Sequence, residues 1–94
     1  VKSKEWYLYV VECSDGTFYT GVTTDIPRRV NEHNTSARGA KYTRSRRPVR
    51  TVYWRKMEDK SSAQTEESKF KRLSRKQKQE IISSHLLEKI GEHR

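Results

Sequence analysis

Two tyrosine-bearing stretches, an Arg-x-x-x-His and a pair of helical glutamates are the parts of this 94-residue chain equipped for polar chemistry. Tyr7-Leu8-Tyr9 and Tyr19-Thr20-Gly21 supply phenols, Arg29 and His33 a guanidinium and an imidazole, and Glu66 and Glu67 carboxylates. Cleaving a phosphodiester needs groups of these kinds. A base takes a proton from water, cations neutralise charge developing on phosphorus, and a divalent metal held by carboxylate and water oxygens commonly assists. Guanidinium stays charged and meets phosphate oxygens with two donors, which suits Arg29 to phosphate. An imidazole titrates near neutrality, so His33 is suited to accept a proton from a neighbour or to contact a phosphate. A phenol loses its proton only near pH ~10, so Tyr9 or Tyr19 acts as a base only beside a proton acceptor or a cation. Either tyrosine alone would ordinarily be a packing residue, the reading given to Tyr7. Glu66 and Glu67 border the same helical stripe, and spacing does not separate them as a metal ligand.

The elements that must position these groups are legible over residues 6 to 33. Ser14-Asp15-Gly16 lies between two short apolar and aromatic runs, a hairpin signal joining strands over Trp6–Cys13 and Thr17–Val22. In the first strand Trp6, Leu8 and Val10 alternate with Tyr7, Tyr9, Val11 and Cys13, and both faces are mostly apolar, which predicts a central strand covered on both sides. Tyr19 and Gly21 share a face of the second strand, and the glycine leaves room beside a ring. Asp25 is placed to cap a helix with Pro27 in its first turn, Ile26 and Val30 on its inner face, and Arg29 and His33 one turn apart. Residues Asn34 to Arg47 show no period and read as a loop, with Gly39 expected to permit an unusual backbone turn. A third strand is expected over Val49–Trp54, with Val52 and Trp54 on one face and Val49, Thr51 and Tyr53 on the other. Arg55–Lys60 reads as a charged turn. A helix capped by Ser61 or Ser62 is predicted over Ala63–Arg72, with Ala63, Phe70 and Leu73 as its stripe. Ser74-x-x-Gln77 opens a last helix through Ile82, which continues or restarts over His85–Ile90. The charged residues 1–5 and the final Gly91–Arg94 are expected to fray.

Charge narrows the function class. Twenty-one Lys and Arg against twelve Asp and Glu give +9, a balance that favours a polyanionic partner, nucleic acid ahead of acidic membrane. The excess is uneven. From His33 to Met57 there is no acidic residue, while Arg38, Lys41, Arg44, Arg46, Arg47, Arg50, Arg55 and Lys56 all fall there. Arg38, Lys41, Arg44, Arg46 and Arg47 form a candidate phosphate-binding rim, with Tyr42 among them able to stack on a base. The single Cys13 excludes an internal disulfide and a cysteine-based zinc site. With no signal-peptide pattern and no apolar run of about twenty residues, a soluble cytoplasmic protein without a membrane partner is expected.

The two triplets, the Arg-x-x-x-His of Arg29 and His33, Gly39-Ala40-Lys41-Tyr42-Thr43 and Ala63-x-x-x-Glu67-x-x-x-Lys71 together resemble the GIY-YIG nuclease domain family. The resemblance runs over roughly residues 5 to 80 and is nearest to the small stand-alone bacterial branch; Tyr7 stands where the first triplet of the family has glycine. It implies that Tyr9 is the base, that Tyr19 orients the water or a phosphate oxygen, that Arg29 and His33 complete the catalytic group, and that Glu67 rather than Glu66 holds Mg²⁺ or Mn²⁺. The element order β-β-α-β-α-α predicts an α+β fold with a three-stranded, largely antiparallel sheet flanked by helices. One domain over 1–94 is expected, with its core at about 5–82 and a tail at 83–94. The function expected from residues and resemblance together is metal-dependent hydrolysis of DNA phosphodiesters in DNA repair or end processing. Two alternatives stand beside it. One is a catalytically weak or inactive nucleic-acid-binding module of the same fold, and the other is an RNA-binding protein, with DNA favoured over RNA. Oligomeric state, metal preference and substrate structure leave no signature in the sequence.

Overall fold

The computed structural model describes residues 5–92, and side chains as far as Glu88. The lead-in apart from Glu5, and the last two residues of the expected C-terminal fray, lie outside the described residues. Seven elements follow in order: β1 (Trp6–Glu12), β2 (Phe18–Thr23), α1 (Ile26–Thr35), α2 (Lys41–Arg44), β3 (Arg50–Met57), α3 (Lys60–Lys71) and α4 (Arg75–Glu92). The sheet is antiparallel in the order β2-β1-β3, so β1 is central. The α+β architecture is the expected one, with α2 as an addition.

Each face of β1 buries its own cluster. Tyr9, Val11 and Cys13 pack with Val49 under Tyr19, Ile26 and Val30, the last two from α1. Val10 packs with Val52, Phe70 and Ile82 on the side of α3 and α4. Removing such apolar surface from water is the main force holding three short strands together. Cys13 belongs to the first cluster, and burial pushes its thiol up from the ordinary value. The connection β1–β2 is a tight hairpin in which Gly16 adopts φ +82° and the Asp15 carboxylate accepts from the Thr17 amide and hydroxyl.

The capping chemistry is local and clear. Asp25 accepts from the Arg28 amide to start α1. Ser74 and Gln77 form the reciprocal box that starts α4, the Ser74 amide donating to Gln77 Oε1 and the Gln77 amide to Ser74 Oγ. α3 starts earlier than expected. Its cap is Asp59, which accepts from the Ser62 amide at 2.7 Å, so neither serine caps it. A carboxylate at that end also faces the positive pole of the helix. α4 runs without a break to Glu92, so residues beyond Ile82 continue the helix.

Further departures have physical causes. β3 extends to Met57 because Lys56 and Met57 pair with Tyr7 and Trp6, and Met57 is buried. Within it, Val10 pairs with Tyr53 but Val11 with Thr51, so Val52 is an extra residue. That bulge breaks the expected alternation: Val52 and Tyr53 both join the α3/α4 cluster, while Trp54 turns to meet Tyr7 edge-on at 6.3 Å. The segment expected to be a loop from Asn34 to Arg47 contains the single-turn helix α2, whose Thr43 and Arg44 amides donate to the Ala40 carbonyl. Gly39 has no left-handed backbone. Its value is closeness, since a Cβ there would stand 2.8 Å from the Glu32 carbonyl oxygen and 2.9 Å from His33 Cα.

Gly21 pairs directly with Tyr9 across the β1–β2 ladder, and a Cβ at Gly21 would lie 2.6 Å from Tyr9 Oη and 2.8 Å from Cζ. The phenol therefore occupies the volume a side chain would need. Gly21→Ala is expected to lower the free energy of unfolding in urea by about 1–3 kcal/mol, the usual scale of overpacking. A loss under about 0.5 kcal/mol would mean that the ring has somewhere else to go.

Candidate active site

The Tyr9 side chain projects from the centre of β1 beneath α1, and there its hydroxyl meets His33 Nε2 at 2.7 Å. Tyr9 is 1% exposed and His33 0%. The other ring nitrogen, Nδ1, lies 2.8 Å from Thr43 Oγ1, and the Thr43 hydroxyl donates to the Ala40 carbonyl at 2.9 Å. Tyr9 of β1, His33 of α1 and Thr43 of α2 are thereby joined through buried polar atoms, with the Ala40 carbonyl at the cap of α2 ending the chain of bonds. The spacing of His33, two turns after the Asp25 cap, puts its ring on the inner face of α1.

Tyr19 on β2 adds a second phenol, its ring edge-on to His33 at 5.2 Å. Tyr42 stacks on Tyr19 at 6.1 Å with 26° between the planes, and Tyr42 is 38% exposed. A path of aromatic contacts runs from that surface ring through Tyr19 and His33 to Tyr9. Arg29, one turn before His33, is held by donating Nη1–H to Glu32 Oε1 at 3.1 Å and to the Arg38 carbonyl at 2.8 Å.

Burial dominates the electrostatics. It pushes the Tyr9 phenol up to about 12, with Arg29 pulling the other way and the charges of Tyr19 and Glu67 reinforcing burial. It pushes His33 down to about 4, helped by the positive charges of Arg29 and Arg47 against Glu32. Both groups are consequently neutral near pH 7, and a phenol faces an imidazole across one hydrogen bond. Removing the phenolic proton requires further positive charge at the site.

Glu67 projects from α3, which lies against β2 and β1. Its side chain is 22% exposed and pairs with Lys71 Nζ at 3.2 Å, while Glu66 pairs with Lys69. Of the two neighbouring carboxylates, Glu67 is the one whose charge is felt at the Tyr9 phenol. Tyr19, Arg29, His33 and Glu67, from three other elements, thus all act on the Tyr9 phenol.

The basic segment divides. Arg38, Lys41 and Arg44 are exposed. Arg46 is engaged within the chain: Nε donates to Asp15 Oδ2 at 3.0 Å, Nη1 to the Tyr42 carbonyl at 2.9 Å, and the guanidinium lies 3.9 Å above the Tyr42 ring. Arg47 donates to the His33 and Ser36 carbonyls at 2.5 and 2.6 Å, closing the C-terminal end of α1. Thr43 and Glu32 were not singled out by the sequence. Thr43 stood within Gly39-Ala40-Lys41-Tyr42-Thr43 without a chemical reason of its own, and Glu32 showed only as a residue three after Arg29.

Comparison with known proteins places these residues in context. The GIY-YIG catalytic domain matches over residues 5–80. The UPF0213 protein DP2720 of Desulfotalea psychrophila is 51% identical over 79 residues, covering 84% of this chain and 72% of that protein. The UPF0213 protein VNG_2274C of Halobacterium salinarum is 52% identical over 76 residues, covering 81% and 97%. Among solved structures, the solution NMR structure of the protein EF2693 from E. faecalis aligns with a TM-score of 0.59 at 43% identity, covering 90% of this chain and 91% of that one.

The depressed His33 gives a signed pH dependence. An unfolded imidazole takes up a proton below its ordinary 6.5, whereas the folded one does so only near 4. The stability His33 contributes is therefore complete above pH 6.5 and is lost as pH falls towards 4, by an amount on the order of 3 kcal/mol. Asp15 and Asp59, also held below their ordinary 3.8, act only at lower pH. Urea melts between pH 7 and 4 should show this loss, and His33→Gln should flatten it. An NMR titration of the His33 ring with a midpoint near 6.5 would contradict the burial argument.

Proposed function

The chain belongs to the GIY-YIG family, a family of nucleases, and from that premise we propose that it is a metal-dependent nuclease hydrolysing DNA phosphodiester bonds, in DNA repair or end processing. The observation that carries this reading is the 2.7 Å bond between Tyr9 and His33, with the charges of Arg29 and Glu67 both acting on the same phenol. Packing alone asks for none of those four polar groups. The reading takes the chain as a single domain working in the cytoplasm. No helix among the described residues is long and apolar enough to cross a membrane.

A metal is compatible with the donor set. Among the described residues there is no group of three or more His, Cys, Asp or Glu able to cage an ion. Mg²⁺ is, however, commonly held through one or two carboxylates, keeping waters and taking phosphate oxygens for the rest. Glu67 fits as that carboxylate, with Lys71 as its present counter-charge. When bound, Mg²⁺ or Mn²⁺ supplies the positive charge that the phosphate and the Tyr9 phenol both need. Arg29 binds a phosphate oxygen of the scissile group, and Tyr19 orients the attacking water. Tyr9 takes the proton of that water while its own passes to His33 Nε2, so the base is the buried pair rather than either member alone. The exposed Arg38, Lys41 and Arg44 hold the flanking backbone, with Tyr42, Arg46 and Arg47 shaping the rim behind them.

A second reading, a nucleic-acid-binding module of the same fold without catalysis, draws on the height of the Tyr9 pKa, which keeps the phenol protonated unless charge is added. Incubating the protein with labelled single-stranded, duplex and branched DNA and RNA, with Mg²⁺, Mn²⁺ or EDTA, separates the two. Cleavage that EDTA abolishes is expected.

With activity in hand, Tyr9→Phe keeps the ring but removes the hydroxyl, and the rate is expected to fall by about two to four orders of magnitude at unchanged fold. Glu67→Gln should remove metal-dependent cleavage while DNA binding persists. Arg29→Lys should recover only part of what Arg29→Ala loses, since an ammonium lacks the planar pair of donors. A Tyr9→Phe protein as fast as the parent would return Tyr9 to packing.

Binding is expected to weaken steeply with salt. Replacing Arg38, Lys41 and Arg44 together by Gln should flatten the slope of log affinity against log salt by about two to three units, at roughly 0.9 per duplex phosphate contact. An unchanged slope would locate the footprint elsewhere.

A further inference from the structure

His33 is neutral and carries one ring proton, which can reside on Nδ1 or on Nε2, and only a bare Nε2 can receive the proton of Tyr9. The surrounding hydrogen bonds discriminate between the two forms. With the proton on Nδ1, every short contact has a donor and an acceptor: Tyr9 O–H donates to Nε2 at 2.7 Å, Nδ1–H donates to Thr43 Oγ1 at 2.8 Å, and the Thr43 hydroxyl donates to the Ala40 carbonyl at 2.9 Å. With the proton on Nε2, the bond to Tyr9 reverses. The phenolic hydrogen then has no other acceptor among the described residues, since its cationic neighbour Arg29 offers only donors. Tyr9 is 1% exposed, and a buried hydroxyl without an acceptor costs about 1–3 kcal/mol. What the reversed form gains lies at Nδ1, which would then accept from the Thr43 hydroxyl, at the cost of that hydroxyl's bond to the Ala40 carbonyl, and from the Ala40 amide at 3.4 Å, beyond the usual range for such a bond.

We propose that Thr43 is a positioning residue: its buried hydroxyl, committed to the Ala40 carbonyl, accepts from Nδ1–H and so fixes His33 in the tautomer whose bare Nε2 faces Tyr9. Thr43 is 0% exposed on the one-turn helix α2. That placement gives the short helix a use beyond connecting α1 to β3. The acceptor of that hydroxyl is a backbone group, the Ala40 carbonyl, which also receives the Thr43 and Arg44 amides and so is fixed by the turn of α2. The tautomer follows from the geometry by itself, whereas its consequence for rate rests on the nuclease reading above.

Long-range ¹H–¹⁵N spectra of the imidazole test the proposal without any turnover. In the parent protein the His33 ring is expected to show a pyrrole-type Nδ1 and a pyridine-type Nε2. Thr43→Val keeps the shape and removes the hydroxyl, leaving the Ala40 amide as the group facing Nδ1, so the proton should move towards Nε2. Thr43→Ser should keep the parent tautomer. On a DNA substrate that the parent cleaves, Thr43→Val should lose about ten- to a hundredfold in kcat with KM unchanged, and Thr43→Ser should recover most of it. A parent ring protonated on Nε2 overturns the proposal, as does a Thr43→Val ring with unaltered tautomer. Should Thr43→Val fail to fold, the parent spectrum and the Thr43→Ser protein decide the matter. A parent with the expected tautomer but no cleavage on any substrate removes the nuclease reading and leaves the assignment of Thr43 standing.

Discussion

A hydrogen bond between two almost fully buried groups sets the terms for the rest of this structure. The Tyr9 hydroxyl and the His33 imidazole are each buried, and a polar atom in that position is tolerated only if its partner is held at bonding distance. The distance of 2.7 Å then fixes how closely α1 lies over β1. It requires the bare Gly21 under the phenol and the bare Gly39 against the turn that carries His33. It also requires something to satisfy Nδ1, and Thr43 does so from the short helix α2.

The same burial that makes the bond strong works against easy deprotonation. It raises the phenol and lowers the imidazole, so the resting pair holds its proton firmly on oxygen. Arg29 pulls the phenol the other way, and it is anchored by Glu32 and the Arg38 carbonyl. On the proposed nuclease reading, a site built like this is quiet until more positive charge arrives. Chemistry gated by an added cation is a natural outcome of placing a weak acid in a dry, partly cationic pocket.

How much of this could be read from the sequence depends on the range of the interaction involved. The hairpin, the Asp25 cap and the Ser74–Gln77 box are decided by residues within four of one another, and each formed as its spacing implied. The two-sided burial of β1 was legible because both its alternating sets are apolar. What escaped was set from a distance. The bulge at Val52 arises from how β3 meets β1, and no residue in the strand announces it. Single-turn α2 is too short to carry a helical period, and Thr43 resembles any loop threonine until its hydroxyl is seen against His33. Asp59 was passed over because two adjacent serines immediately before Ala63 offered an equally good cap. In the basic segment, composition could not show that Arg46 and Arg47 turn inward while Arg38, Lys41 and Arg44 face out.

The bulge has one more effect. β3 lies at the edge of the sheet, where unpaired amides and carbonyls invite a strand from another molecule. Here the invitation is weak. The extra residue at Val52 makes the ladder irregular, and Arg55 and Lys56 just beyond it are exposed cations, so a second strand laid along this edge would meet positive charge. Positive charge in this strand therefore disfavours pairing with a second copy of it, whatever else it attracts.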